Sequence, residues 1–182
     1  MKDQIWLTGF MATGKSRIAR PLAAALDWQA LDLDTLIETA AGDNIAGIFR
    51  SGGEAAFRVL ETQAVERAAA MSRVVVATGG GTVLAEANRT LMRAKGFIAC
   101  LDARPDTIAE RIRSSSAHIS ERPLLAGGDP LTRITELKMA RQALYAEADF
   151  IIQTDELTPD QITHQILEAY REHAAVGASG AA

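Results

Sequence analysis

The stretch Gly9-Phe10-Met11-Ala12-Thr13-Gly14-Lys15-Ser16 is a glycine, four residues, then Gly-Lys-Ser, and it constrains this chain more than any other feature. Such a loop belongs between a strand and a helix. Ile5-Trp6-Leu7-Thr8 before it reads as a short buried strand, and Ile18, Leu22, Ala25 and Leu26 after it recur at helical spacing. Glycine lets successive backbone N–H groups turn inward on a phosphate, and the following helix adds the positive end of its dipole. Lys15 would reach the outer phosphates as a point charge, and the Ser16 hydroxyl would hold Mg²⁺. The plain alternative is a glycine-rich corner with an exposed lysine, which the flanking strand and helix disfavour.

Length and charge narrow the field further. A chain of 182 residues makes one domain with a sizeable core and room for small inserted subdomains. Its net charge of −4 argues against a nucleic-acid or anionic-membrane surface. The single Cys100 excludes an internal disulfide framework, and its neighbours Phe97-Ile98-Ala99 and Leu101 place it in the interior. No apolar run reaches the length of a membrane span, and Met1-Lys2-Asp3 leads straight into the first strand. A cytoplasmic protein without a signal peptide is expected.

Beyond the loop, five short strands alternate with helices. Gln29-Ala30-Leu31 starts a second strand ending in Asp32-Leu33-Asp34, and Val74-Val75-Val76-Ala77-Thr78 is a β-branched run suited to a central parallel strand. Phe97–Leu101 and Phe150-Ile151-Ile152 supply two more. This pattern predicts a parallel sheet covered by helices on both faces. Between residues 34 and 61 no strand intervenes: helices ending at Gly42, running past Ile45 and Phe49, and reopening at Gly52-Gly53-Glu54 form a helical insertion over one rim. Residues 114–127 lack an apolar period and read as a lid, whereas Pro130 to Leu144 reads as one helix. Thr158-Pro159 starts a last helix, residues 1–174 form the single domain, and 175–182 read as a disordered tail.

The residues around the loop suggest a second substrate. Gly79-Gly80-Gly81 ends the central strand, where open α/β sheets place their sites and where a ligand can approach the backbone closely. Asp32 and Asp34 project to opposite faces if the strand continues, so one suits Mg²⁺ or its water shell and the other a hydroxyl proton; either can instead cap the next helix. Arg58 and Glu61, three apart on a helix, can pair so that Arg58 forks onto a carboxylate, or they can form an ordinary surface ion pair.

Taken in order, Gly-x-Met-x-x-Gly-Lys-Ser, Asp-x-Asp, Gly-Glu-x-x-Phe-Arg-x-x-Glu, Ala-Thr-Gly-Gly-Gly, Arg-Pro-Leu-Leu and Arg-x-x-x-Tyr resemble the shikimate kinases over residues 4 to 170. The resemblance implies a nucleoside-monophosphate-kinase fold with strand order 2-3-1-4-5, a helical substrate-binding insertion and a lid. It implies transfer of the γ-phosphoryl of ATP to the 3-hydroxyl of shikimate, with Mg²⁺, by a monomer. Lys15, Asp34 and Arg122 become the catalytic residues, Arg122 as the lid arginine over the transferred group and Asp34 as grip and base. Met11, Ala12, Thr13, Gly14, Lys15, Ser16, Arg17 and Arg122 become ATP contacts, with Arg113 and Pro159 around adenine and Arg111 fitting almost as well as Arg113. Asp34, Arg58, Gly79, Gly80, Gly81 and Arg141 bind shikimate, while Ser16 and Asp32 hold the metal.

Three departures from that pattern stand out. Ala12 occupies a usual glycine position and adds a Cβ to a backbone that needs positive φ, Arg17 replaces a common Ser or Thr, and the serine-rich segment between Arg113 and Arg122 is long. A gluconate-type kinase would share the loop and lid but not require both Arg58 and Arg141. A regulatory module without catalysis would not need Lys15, Ser16, Asp34 and Arg122 intact. His118, His164 and His173 lack the spacing of a metal site.

Overall fold

The computed structural model describes residues 2–114 and 129–179. Five parallel strands form one sheet: β1 (Gln4–Thr8), β2 (Gln29–Asp32), β3 (Val74–Ala77), β4 (Phe97–Asp102) and β5 (Phe150–Gln153), in the order β2-β3-β1-β4-β5. Register is fixed by pairs such as Trp6 with Val76 and Trp6 with Ile98. The central strands are buried along their whole length, which is why they are continuous apolar runs rather than alternating ones.

Alternation along β1 divides the core. Ile5 and Leu7 point to the side covered by α1 (Lys15–Leu26) and α8 (Pro159–Ser179), where Ile18, Leu22, Ile162 and Ile166 meet them. Ala25 faces solvent instead. Trp6 points to the other side, against α3 (Ile45–Ala69), α4 (Glu86–Lys95) and α5 (Pro105–Ser114) through Val65, Ala68, Met92 and Ile108. Its indole N–H donates to Gln4 Oε1 at 3.2 Å, and Gln4 in turn donates to the carbonyl of Ala69 at 3.2 Å. The end of α3 is thereby pinned to the first strand.

The insertion consists of α2 (Leu33–Ala41), closed by Gly42 in the left-handed conformation, and α3. Gly53 at φ 70° and ψ −174° breaks α3 into two rods, so the helix expected to reopen at Gly52-Gly53 does so. Three boundaries differ from expectation. The second strand stops at Asp32, because the Asp32 side chain accepts the Asp34 N–H and starts α2 there. The helix expected over Pro130 to Leu144 is two, α6 (Pro130–Met139) and α7 (Gln142–Tyr145), interrupted where Arg141 takes φ −110° and ψ −4°. The last helix runs through Ser179, five residues into the segment expected to be an unstructured tail. The expected lid, residues 114–127, lies outside the described residues but for Ser114, as does the tail beyond Ser179. Among the described residues no helix is long and apolar enough to cross a membrane.

Candidate active site

The loop after β1 is shaped by glycines at its two ends. Gly9 sits at φ 125°, and a Cβ there would run into the Leu101 carbonyl oxygen of β4; Gly14 sits at φ 104° as the cap of α1. Between them Ala12 takes φ 59°, the left-handed region that costs a residue with a Cβ about 1–2 kcal/mol. Lys15 is buried, and its ammonium donates to the carbonyls of Gly9 at 2.9 Å and Phe10 at 2.7 Å. Thr13 Oγ1 donates to the same Phe10 carbonyl at 2.8 Å. The helix start has no capping side chain and no acidic residue in its first turn, so the positive end of its dipole suits an anion. Ser16 and Arg17 are exposed at that end.

Asp32 and Asp34 stand beside this loop, not on opposite faces of a strand. Asp32 Oδ1 receives the Asp34 N–H at 3.0 Å, and Asp34 lies in the first turn of α2. Crowding by protein pushes the Asp34 carboxyl up to about 6; Asp32 adds to the rise, Lys15 opposes it, and Glu61 and Glu38 contribute further. The residue itself is exposed. Its carboxyl is walled in rather than sealed, and water in the open cleft tempers the rise until a ligand displaces it. No three His, Cys, Asp or Glu side chains among the described residues gather into a metal site. Ser16 and Asp32 offer only hard oxygen donors, and two of them are too few for a cage. That set fits Mg²⁺, which keeps water and phosphate oxygens and takes one or two protein ligands.

The acceptor side is built on the three glycines. A Cβ on Gly79 would lie 2.9 Å from Glu61 Oε1 and 3.4 Å from Asp34 Oδ1, one on Gly80 would lie 3.1 Å from the Met11 backbone nitrogen, and one on Gly81 would strike the Arg58 guanidinium. A side chain at any of the three would therefore displace Glu61, Arg58 or the loop backbone where the loop, the insertion and the sheet meet. Arg58 pairs with Glu61 at 2.7 Å and with Glu54 at 2.7 Å, and its guanidinium covers the Phe57 ring at 5.3 Å. Burial acts to lower the Arg58 pKa, but the two glutamates outweigh it and raise it. Glu61 is 1% exposed and also receives Thr82 Oγ1 at 2.7 Å, so both carboxylate oxygens are engaged. Arg141, 4% exposed, donates to the Gly80 carbonyl at 3.1 Å and lies 5.7 Å from the centre of the Phe10 ring. The two arginines expected from sequence thus approach the triple glycine from opposite elements.

A second cavity, of about 420 Å³, opens on the other side of the phosphate loop. Ala12, Thr13, Gly14, Arg17, Arg111, Thr154 and Pro159 line it, so Arg17 and Pro159, both expected as ATP contacts, share one cavity. Arg111, not Arg113, is the arginine there: it donates to Thr154 O at 2.6 Å, Thr154 Oγ1 at 3.0 Å and Ala12 O at 3.4 Å. Arg113 is exposed and lines a separate hollow between α5 and α6. The sequence held a signal for this. Ile108 and Ile112 mark the inward stripe of α5, and Arg111, three residues after Ile108, borders that stripe more closely than Arg113. Sequence reading missed Thr82, and it gave no role to Glu54 or Tyr145 although both stand in the family pattern; the Tyr145 hydroxyl donates to the Gly80 carbonyl at 2.6 Å. The expected lid arginine, Arg122, lies outside the described residues.

Comparison with known proteins agrees with this geometry. The family described as shikimate kinase matches residues 11–171. A shikimate kinase of Symbiobacterium thermophilum is 42% identical over 169 residues, covering 92% of this chain and 96% of that protein. Among solved structures, the shikimate kinase from Acinetobacter baumannii in complex with shikimate superposes with a TM-score of 0.88 at 30% identity, covering 94% of each chain. A gluconokinase from Sinorhizobium meliloti reaches a TM-score of 0.66 at 12% identity, a likeness of fold alone. With the phosphate loop, the triple glycine and the two flanking arginines in place, and a family match spanning most of its length, the chain belongs to the shikimate kinase family.

Proposed function

We propose that this protein transfers the γ-phosphoryl group of ATP to the 3-hydroxyl of shikimate, giving shikimate 3-phosphate and ADP. The observation that carries the reading is the approach of Arg58, Arg141 and Asp34 to one glycine-lined surface beside the phosphate loop. Two guanidinium groups match a carboxylate, and an adjoining acid matches ring hydroxyls.

The residues then divide the work. The N–H groups from Met11 to Arg17 and the Lys15 ammonium cradle the phosphates, while Arg111 and Pro159 flank the base. Arg58 and Arg141 grip the acceptor carboxylate, and the bare backbone of Gly79 to Gly81 lets the ring lie close. Asp34 accepts the 3-hydroxyl proton as that oxygen bonds to the γ-phosphorus and the bond to the β–γ bridging oxygen breaks. Mg²⁺, held by Ser16 and through Asp32, would supply positive charge to the β- and γ-phosphate oxygens. Arg122 adds a further cation over the transferred group in this reading. With a loose transition state, positioning and charge do most of the work. The reading takes the protein as a monomer of the cytoplasm, as the resemblance to the family implies.

An ADP-release assay with ATP, Mg²⁺ and a panel of shikimate, quinate and gluconate tests the proposal. Shikimate should be preferred by at least about 10²-fold in kcat/KM over gluconate, which lacks the cyclohexene ring the glycines receive. Equal rates on all three, or a preference for gluconate, would remove the assignment.

A further inference from the structure

The one-turn helix α7 places Arg141 and Tyr145 four residues apart, with the Tyr145 N–H donating to the Arg141 carbonyl at 3.0 Å. Their side chains therefore leave the same face. Both end on one atom, the Gly80 carbonyl oxygen, with Tyr145 Oη at 2.6 Å and Arg141 Nη1 at 3.1 Å. A carbonyl oxygen has two acceptor sites, and here both are filled. Tyr145 is 3% exposed and belongs to the apolar core beneath the site. Burial pushes its hydroxyl pKa well up, with Arg141 opposing the rise, so at neutral pH the phenol keeps its proton and donates.

Gly80 is not an arbitrary acceptor. A Cβ built on it would lie 3.1 Å from the Met11 backbone nitrogen and 3.5 Å from the Phe10 carbonyl carbon, inside the phosphate loop. The Phe10 ring in turn lies beside the Arg141 guanidinium, and the Phe10 carbonyl accepts from Lys15. One peptide of the triple glycine is therefore held from one side by α7 and packed on the other against the loop. The Arg141 guanidinium is buried and interacts with the Tyr145 hydroxyl as well as with the Gly80 carbonyl, so the tyrosine bears directly on its pose.

We propose that Tyr145 is a positioning residue for the acceptor: by anchoring the Gly80 carbonyl it fixes the backbone surface that receives the ring and the pose from which Arg141 meets the carboxylate. This rests on the proposed shikimate reading and extends it to a residue that touches no substrate. Its effect falls on the acceptor rather than on ATP, because the Met11 to Arg17 cradle is shaped by its own glycines and by α1. The effect also passes through Arg141, so losing both groups should cost little more than losing Arg141.

Tyr145→Phe keeps the ring and removes only the hydroxyl, so steady-state kinetics on it, on Arg141→Lys and on the double variant make the test. Expected for Tyr145→Phe is a rise of roughly fivefold to tenfold in the shikimate KM, matching the loss of one buried hydrogen bond, with ATP KM within about twofold of the parent. The double variant should show a shikimate KM within about twofold of Arg141→Lys alone. A lowered melting temperature with an unchanged shikimate KM would make Tyr145 a packing residue only and overturn the inference. Fully multiplicative effects in the double variant would overturn the route through Arg141. If the parent protein turns over shikimate while Tyr145→Phe matches it, the inference alone fails; if the parent does not turn over shikimate, the functional reading fails and takes the inference with it.

Discussion

Arg58 Nη1 lies 2.7 Å from Glu61 Oε2, a guanidinium aimed by a carboxylate that is itself 1% exposed. The other Glu61 oxygen is occupied by Thr82, so the pair cannot rotate as a unit without breaking a second bond. Removing the carboxylate leaves Arg58 with only the half-exposed Glu54. Glu61→Ala should cost roughly 2 kcal/mol of stability, below the range typical of a sealed pair because Arg58 keeps that second partner. It should also raise the shikimate KM about tenfold while ATP KM stays within about twofold. Urea unfolding and steady-state kinetics measure the two effects. Stability loss without a change in shikimate KM would reduce Glu61 to a structural role.

The Asp34 carboxyl titrates at about 6 against an ordinary 3.8. Between those values the folded protein holds a proton that the unfolded chain has released. The stability this group contributes is full below about pH 4 and lost as pH rises through about 6. Asp34→Asn should therefore melt at a higher temperature than the parent at about pH 8, but not at about pH 4. Over the same interval kcat/KM of the parent should climb as the base ionises, and the variant should lose roughly 10²- to 10⁴-fold in kcat. A variant with parental turnover would exclude Asp34 as the base.

Ala12 and Gly9 make a contrasting pair in one loop. Ala12→Gly releases a left-handed residue, and a gain of about 1 kcal/mol with a lower ATP KM is expected. Gly9→Ala adds a methyl group against the Leu101 carbonyl at φ 125°, where no small shift relieves the clash. That variant should lose ATP binding altogether. Thermal melting with and without ATP reads both, and a destabilised Ala12→Gly would mean that the Cβ packing of Ala12 outweighs its backbone strain.

Arg111 and Arg113 sit two residues apart and should behave differently. Arg111 bridges Thr154 and the Ala12 carbonyl, so Arg111→Ala removes bonds from both the cavity wall and the loop. ATP KM should rise at least about tenfold, as expected for losing charged hydrogen bonds of about 1.5–3 kcal/mol. Arg113→Ala should leave it within about twofold, because Arg113 faces a different hollow. Comparable effects would return Arg113 to the nucleotide site.

Local pattern made much of this molecule legible in advance. The central strands β1, β3 and β4 carry apolar runs because both their faces are covered, and such runs stand out from any helix-period stretch, whereas the edge strand β2 begins with Gln29 and ends with Asp32. Gly42 and Gly53 appear at the two breaks of the insertion because positive φ selects glycine. The strained Ala12 was readable through the resemblance, since the family pattern has glycine at that position. Asp32 was harder. Its side chain chooses between continuing a strand and capping a helix, a contest of similar local energies that the Asp34 N–H settles.

What the sequence by itself determined, then, was the phosphate loop, the α/β alternation and the pairing of Arg58 with Glu61, because each follows from backbone sterics or residue spacing over a few positions; Arg141 came only with the resemblance to the family. The tertiary structure alone decided that Arg111 rather than Arg113 lines the cavity beside the phosphate loop, that Glu61 receives Thr82 as well as Arg58, and that Tyr145 and Arg141 meet on Gly80. The bonds of Thr82 to Glu61, Arg111 to Thr154 and Tyr145 to Gly80 join residues 21 to 65 positions apart on separate elements. Their energies depend on how helices dock across a sheet, and no local stretch of chain encodes that distance.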